Sequence, residues 1–99
     1  MRVISRHSLI TFCEKYDQAR KPMDNWFHKV KEADWKNFSD LKRTFRTADY
    51  VGDDRYVFNV HGNEFRIVAY IPFQFHAVYI KFVGTHLEYD RINVKTVEL

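Results

Sequence analysis

The sequence predicts an α+β fold, with N-terminal helices packed on a small, mostly antiparallel sheet and a short C-terminal helix closing the chain. Three observations point there. Apolar residues recur at helical spacing through the first half, as far as Phe45. From Arg55 onward the period becomes an alternation, the mark of half-buried strands. With 99 residues, 45% of them hydrophobic, nine Phe and six Tyr, the chain can fill one core but not two. A single domain over residues 1–99 is the expectation.

Taken in order, Met1 to Ile4 suits a short opening strand. Ser5 is placed to cap a first helix that carries Leu9, Phe12, Cys13 and Tyr16 on one side. Pro22 fits the first turn of a second helix, where its missing N–H costs nothing, and Trp26, Phe27, Val30 and Ala33 line one face. A third helix would turn Phe38, Leu41 and Phe45 inward. These aromatic stripes read as core rather than as a cofactor box, and no cofactor is expected.

The charge is +3, too small by itself to name a partner. Its distribution says more, because Lys36, Lys42, Arg43, Arg46 and Arg55 fall in one stretch, partly offset by Asp40, Asp49, Asp53 and Asp54. Such a run is either a solvated helix face or a contact to an RNA backbone. Cys13 is the only cysteine, which leaves no internal disulfide and no thiolate cluster for zinc, and a reducing cytoplasm is expected. No apolar run approaches the ~20 residues of a membrane span. The opening MRVISRHSLITF lacks the features of a signal peptide. No metal site is expected, since neither His61 nor His76 has a partner at ligand spacing.

The strands allow a register to be written down. With Gly62-Asn63 as a tight turn, Val60 lies opposite Phe65, Phe58 opposite Ile67, and Asn59 opposite Arg66. A further turn centred on Phe73 and Gln74, with Pro72 at the strand end, would set Phe65 against Phe82, Ile67 against Ile80 and Arg66 against Lys81. One side of the sheet is then apolar throughout, and the other gathers Asn59, Arg66 and Lys81. Neighbouring cations destabilise a sheet, and a bound phosphate would reverse the sign. The alternatives are that Glu64 or another carboxylate neutralises the pair, or that the second register is different.

Beyond the third strand, Gly84-Thr85-His86-Leu87-Glu88-Tyr89-Asp90 contains a capping box, Thr85 with Glu88. It starts a short helix with His86 in its first turn and Tyr89 and Asp90 on the same face. These are the parts of a metal-free phosphodiester cleavage. His86 and Tyr89 are candidates for proton transfer, Arg66 and Lys81 for charge stabilisation, and Asp90 for orienting or pairing with His86. The plainer reading makes His86 a helix-terminal residue and Tyr89 part of the core.

The segments DRYVFNVHGNEFRIVAYI and VYIKFVGTHLEYDRI, preceded by DLKRTFRTADYVGDD, resemble the HigB toxins of the RelE-like superfamily. The resemblance runs from about Asp40 to Val97 and is weaker in the two opening helices. It implies a compact RelE-like fold and cleavage of mRNA, commonly on translating ribosomes. It also implies neutralisation by a HigA-like antitoxin with a helix-turn-helix domain. Carried over by position, Asn59, Asn63, Arg66, Lys81, His86, Tyr89 and Asp90 occupy the motif. Arg66, Lys81, His86, Tyr89 and Asp90 are the catalytic candidates, and Asn59, Lys42, Arg43 and Arg46 the RNA-binding ones. Asn63 reads better as a turn residue than as a catalyst. The competing functions are a non-catalytic module that binds RNA or the ribosome, and an interaction protein that keeps the scaffold without the toxicity.

Overall fold

The computed structural model describes residues 1–99. Its centre is a five-stranded mixed sheet in the order β1-β5-β4-β3-β2, formed by Arg2–Ile4 (β1), Asp49–Gly52 (β2), Arg55–Val60 (β3), Phe65–Tyr70 (β4) and Ala77–Thr85 (β5). Only β1 runs parallel to its neighbour, with Val3 beside Val78. The expected α+β architecture is therefore present. The sheet has one strand more than the alternating pattern suggested, because β2 lies in a stretch dominated by charge. Its turn into β3 uses Asp53 and Asp54, both at positive φ (54° and 58°), a backbone conformation that aspartate tolerates better than most residues.

Helices α1 (His7–Lys15), α2 (Arg20–Glu32) and α3 (Phe38–Thr44) precede most of the sheet in sequence. The sequence places their buried residues correctly: Leu9, Phe12 and Cys13 from α1, Trp26, Phe27 and Val30 from α2, and Leu41 from α3. Trp26 meets Phe58 edge-on at 5.3 Å, and Phe45 meets Phe58 at 5.2 Å. Pairs of this geometry add about 0.5–1.5 kcal/mol beyond the area they bury. Ser5 does not cap α1. It sits at φ 75° with its carbonyl accepting from the Ser8 hydroxyl, and the cap position falls to Arg6, whose side chain makes no capping bond. Ala33 is the C-cap of α2 rather than part of its face. No helix is long and apolar enough to cross a membrane.

The β3–β4 register is the expected one in all three named pairs. The positive φ of its turn falls on His61 and Gly62, not on Asn63. The β4–β5 register differs. Tyr70 pairs with Tyr79, Ala69 with Ile80, Val68 with Phe82, and Arg66 with Gly84. Two local features account for this. The connection between the strands is not a two-residue turn but a 3-10 turn at Phe73–Phe75, ended by a left-handed His76 (φ 52°), and it shifts the pairing by two residues. Such a shift keeps every side chain on its face. A β-bulge opposite Val68/Ala69 then inserts one residue, and a one-residue slip exchanges faces. Ile80 thus stays in the core, whereas Phe82 passes to the opposite face. Arg66 and Lys81 are not neighbours.

The helices cover the face that carries Phe58, Val60, Phe65 and Ile67, all buried. The chain after Thr85 turns back over the second face, through α4 (His86–Tyr89) and an irregular segment reaching Glu98. This leaves Val57 and Val68 buried as well.

Candidate functional site

Arg66 lies on β4, at the end of the second face nearest α4. Its pairing partners are Asn59 on one side and Gly84 on the other. Three hydrogen bonds fix the guanidinium. Nη1 donates to the carbonyls of Asn63 (3.0 Å) and Phe65 (3.1 Å), and Nη2 donates to Asn63 Oδ1 (2.7 Å). No carboxylate lies within ion-pair distance of it. A guanidinium has five N–H donors, so Arg66 keeps two of them and its full charge for something else. Asn63 is thus a turn residue that also positions Arg66, a role its turn signature alone does not reveal.

The capping box forms as its sequence requires. The Thr85 N–H donates to Glu88 Oε1 (2.8 Å), and the Glu88 N–H donates to Thr85 Oγ1 (3.2 Å). The His86 N–H, free at this helix start, donates to the Glu64 carbonyl (2.9 Å) and ties α4 to the end of β4. This places Tyr89 over the sheet, with Arg66 Cζ 5.9 Å from its ring centroid and the Phe82 ring 6.4 Å away. Burial pushes the Tyr89 phenol above its ordinary value. The charge of Arg66 opposes that rise, and those of Asp49 and Asp90 reinforce it. Tyr89 therefore holds its proton at neutral pH. His86 and Asp90 are exposed, and they make no ion pair with one another.

Gly84 makes this arrangement possible. A Cβ there would lie 2.4 Å from Phe82 Cζ and 3.1 Å from Glu88 Oε1. A side chain there would have to displace the Phe82 ring or the Glu88 carboxylate.

Other candidates stand apart. Lys81 projects from the bulge, and its ammonium donates to Glu98 Oε1 (2.8 Å). Arg55, in the same sheet face, donates through Nη2 to Glu98 Oε2. Neutralisation by a carboxylate elsewhere is thus what Lys81 undergoes. Asn59 is half-buried and lines a cleft with Trp26, Lys21, Lys29 and His61. Lys42, Arg43 and Arg46 line a shallow basic hollow with Phe38 and Ser39. There Lys42 donates to the Ala48 carbonyl (2.7 Å), and Arg43 pairs with Asp40 (3.1 Å). Arg46 has no ion pair. The contribution of Asp49 to the field at Tyr89, and the role of Glu98, had no signal in the sequence, because both depend on partners far away along the chain.

Comparison with known proteins adds an independent line. The family profile HigB_toxin, described as the RelE-like toxic component of a toxin-antitoxin system, matches residues 19–92. An Escherichia coli protein named mRNA interferase toxin HigB is 37% identical over 93 residues, covering 91% of this chain and 88% of its own. A Shigella flexneri protein named mRNA interferase HigB matches to the same extent. A protein of the same name from another Escherichia coli strain is 27% identical over 94 residues, covering 93% of this chain and 91% of its own. By profile and by identity over most of its length, the chain belongs to the HigB family, the RelE-like toxic components of toxin–antitoxin systems.

Proposed function

We propose that this chain is an endoribonuclease toxin that cleaves mRNA without a metal ion, at the junction of Arg66 with helix α4. The observation that carries the reading is Arg66 itself, a guanidinium fixed by three hydrogen bonds, beside a glycine, with no carboxylate to neutralise it. A cation held with two donors to spare and no counter-ion suits a scissile phosphate. In the reaction, a base removes the ribose 2′-hydroxyl proton and the 2′-oxygen attacks phosphorus. The bond to the 5′-oxygen then breaks as that oxygen receives a proton. The products are a 2′,3′-cyclic phosphate and a 5′-hydroxyl.

Arg66 stabilises the charge on the phosphorane. Tyr89 keeps its proton at neutral pH and acts as a donor to phosphate or leaving group. That leaves His86, exposed on the first turn of α4, as the acceptor of the 2′-hydroxyl proton. Asp90 helps to hold the proton on Tyr89. Asn59, Lys42, Arg43 and Arg46 contact the RNA away from the cleaved bond. The setting is the cytoplasm, the RNA is engaged on translating ribosomes, and a HigA-like antitoxin with a helix-turn-helix domain restrains the activity. Induced expression tests the reading. Wild type should arrest growth and generate new 5′-hydroxyl mRNA ends. Arg66→Ala should do neither while melting normally, and Arg66→Lys should recover little, because an ammonium cannot reproduce a two-point grip. Growth arrest by a folded Arg66→Ala protein would end the proposal.

A further inference from the structure

The second face of the sheet has two cationic ends, and only one of them is open. At the far end from Arg66, the row that pairs Arg55 with Tyr70 and Tyr70 with Tyr79 carries Arg55, and Lys81 reaches it from the bulge with its ammonium 6.0 Å from the Tyr79 ring. One carboxylate, that of Glu98, is divided between them, with Oε2 to Arg55 Nη2 and Oε1 to Lys81 Nζ. Arg55 is buried and donates its other nitrogen to the carbonyls of Val94 (3.2 Å) and Val97 (2.7 Å). Two cations that take separate oxygens of one anion form a clamp of the kind that binds phosphate.

The occupant of this clamp comes from a segment without regular structure. Residues 93–98 form no helix or strand, and their own backbone bonds run to Asn93 from Thr96 and Val97. The Glu98 side chain is 57% exposed, whereas those of Arg55 and Lys81 are 9% and 24% exposed. The cations are thus the more buried members of the clamp, and the anion is the more exposed one. An ion pair this exposed on one side holds its carboxylate weakly. Four residues of β4 separate Arg66 from Tyr70, about 13 Å at ~3.3 Å per residue. To reach the clamp, a single RNA strand held at Arg66 passes over α4 and residues 93–98, which cover the face between the two ends.

We propose that Arg55 and Lys81 form a second phosphate site, for an RNA phosphodiester further along the strand from the one held at Arg66, and that Glu98 fills this site until RNA displaces it. The idea rests on the reading of the Arg66 face as an RNA-cleaving site. Once one phosphate is held at Arg66, a phosphate further along the strand reaches the clamp as a tethered group and competes there with the carboxylate, which is tethered too. No such advantage helps free inorganic phosphate. Lys81 thereby acts on RNA from a position that the cross-strand pairing with Arg66 would not have suggested.

The test is binding of a labelled single-stranded RNA with 2′-O-methyl riboses, which cannot be cleaved. Glu98→Gln should tighten binding about two- to fivefold at low salt, the affinity equivalent of an exposed ion pair. Adding Lys81→Gln to that variant should cancel the gain and lower the slope of log K against log salt by about 0.7, the loss of one phosphate contact on a single strand. Inorganic phosphate at the same charge concentration should not compete. In the wild-type protein, RNA should speed amide exchange across residues 94–98, a measurement that needs no variant. Unchanged affinity for Glu98→Gln, or unchanged exchange in 94–98 on saturation with RNA, overturns the second site. Arg66→Ala separates the two ideas. If it weakens binding while Glu98→Gln has no effect, the second site alone is wrong; if it leaves binding unchanged, the RNA reading of the whole face is wrong.

Discussion

Substituting Gly84 by alanine would test whether the sheet and helix α4 are packed as described. The new Cβ would stand 2.4 Å from Phe82 Cζ, so the ring must retreat by at least ~1 Å to reach ordinary carbon contact. Phe82 is half-buried and can swing, but Glu88 Oε1, 3.1 Å from the same Cβ, is held by the Thr85 N–H. One neighbour yields and the other resists, which places the cost at about 1–2 kcal/mol, within the usual range for overpacking. For a domain of this size that lowers Tm by about 4–16 °C. The displaced ring also lies against Tyr89, so cleavage per folded molecule should fall as well. Thermal melts of Gly84→Ala, Phe82→Ala and the double variant read the coupling. The double variant should be more stable than the sum of the single effects requires, by about 1 kcal/mol. A Gly84→Ala protein that melts with wild type, or strict additivity, would refute the packing.

Three further outcomes follow from the same geometry. Asn63→Ala should remove one of the three bonds that fix the Arg66 guanidinium and reduce cleavage while changing Tm little. Asn63→Asp should reduce it further, because a carboxylate would neutralise Arg66; single-turnover rates at matched stability check both. Thr85→Ala removes the cap of α4 and should cost about 1 kcal/mol in a denaturant titration. Hydrogen bonds from Lys81 and then Arg55 lower the Glu98 pKa from its ordinary 4.5. A carboxylate lowered in the folded state stabilises it above the unfolded value and loses that effect as pH falls through the folded one. The Tm advantage of wild type over Glu98→Gln should therefore be constant at neutral pH, begin to shrink as pH falls past the ordinary 4.5, and be lost as pH falls through the lower folded value, as melts across an acid series would record.

Where the sequence could be read, the signal was local. The core faces of α1, α2 and α3, the β3–β4 pairing and the Thr85–Glu88 capping box all depend on residues a few positions apart, and each stands as expected. The β4–β5 register was not legible, because His76 gives no composition cue for a left-handed turn and a bulge at Lys81 leaves no mark in an alternating pattern. A shift of two residues plus one was enough to separate Lys81 from Arg66 and to carry Phe82 across the sheet. Strand β2 was obscured by its charged surroundings. In the proposed site, Arg66, Tyr89 and His86 were named from motif and spacing. The Asn63 side chain that fixes Arg66 and the Glu98 carboxylate that takes up Lys81 required the fold.

On the proposed mechanism the Arg66 face cleaves RNA by proton transfer, with His86 exchanging the proton. The most direct measurement is single-turnover cleavage by purified protein, with translating ribosomes and labelled mRNA, followed by identification of both new ends. Wild type should leave a 2′,3′-cyclic phosphate and a 5′-hydroxyl. His86→Gln should bind RNA and melt as wild type does while cleaving about 10²-fold or more slowly, the scale for losing an acid–base group. Intact RNA from active wild-type protein, 5′-phosphate ends, or normal turnover by a stable His86→Gln protein would contradict the account.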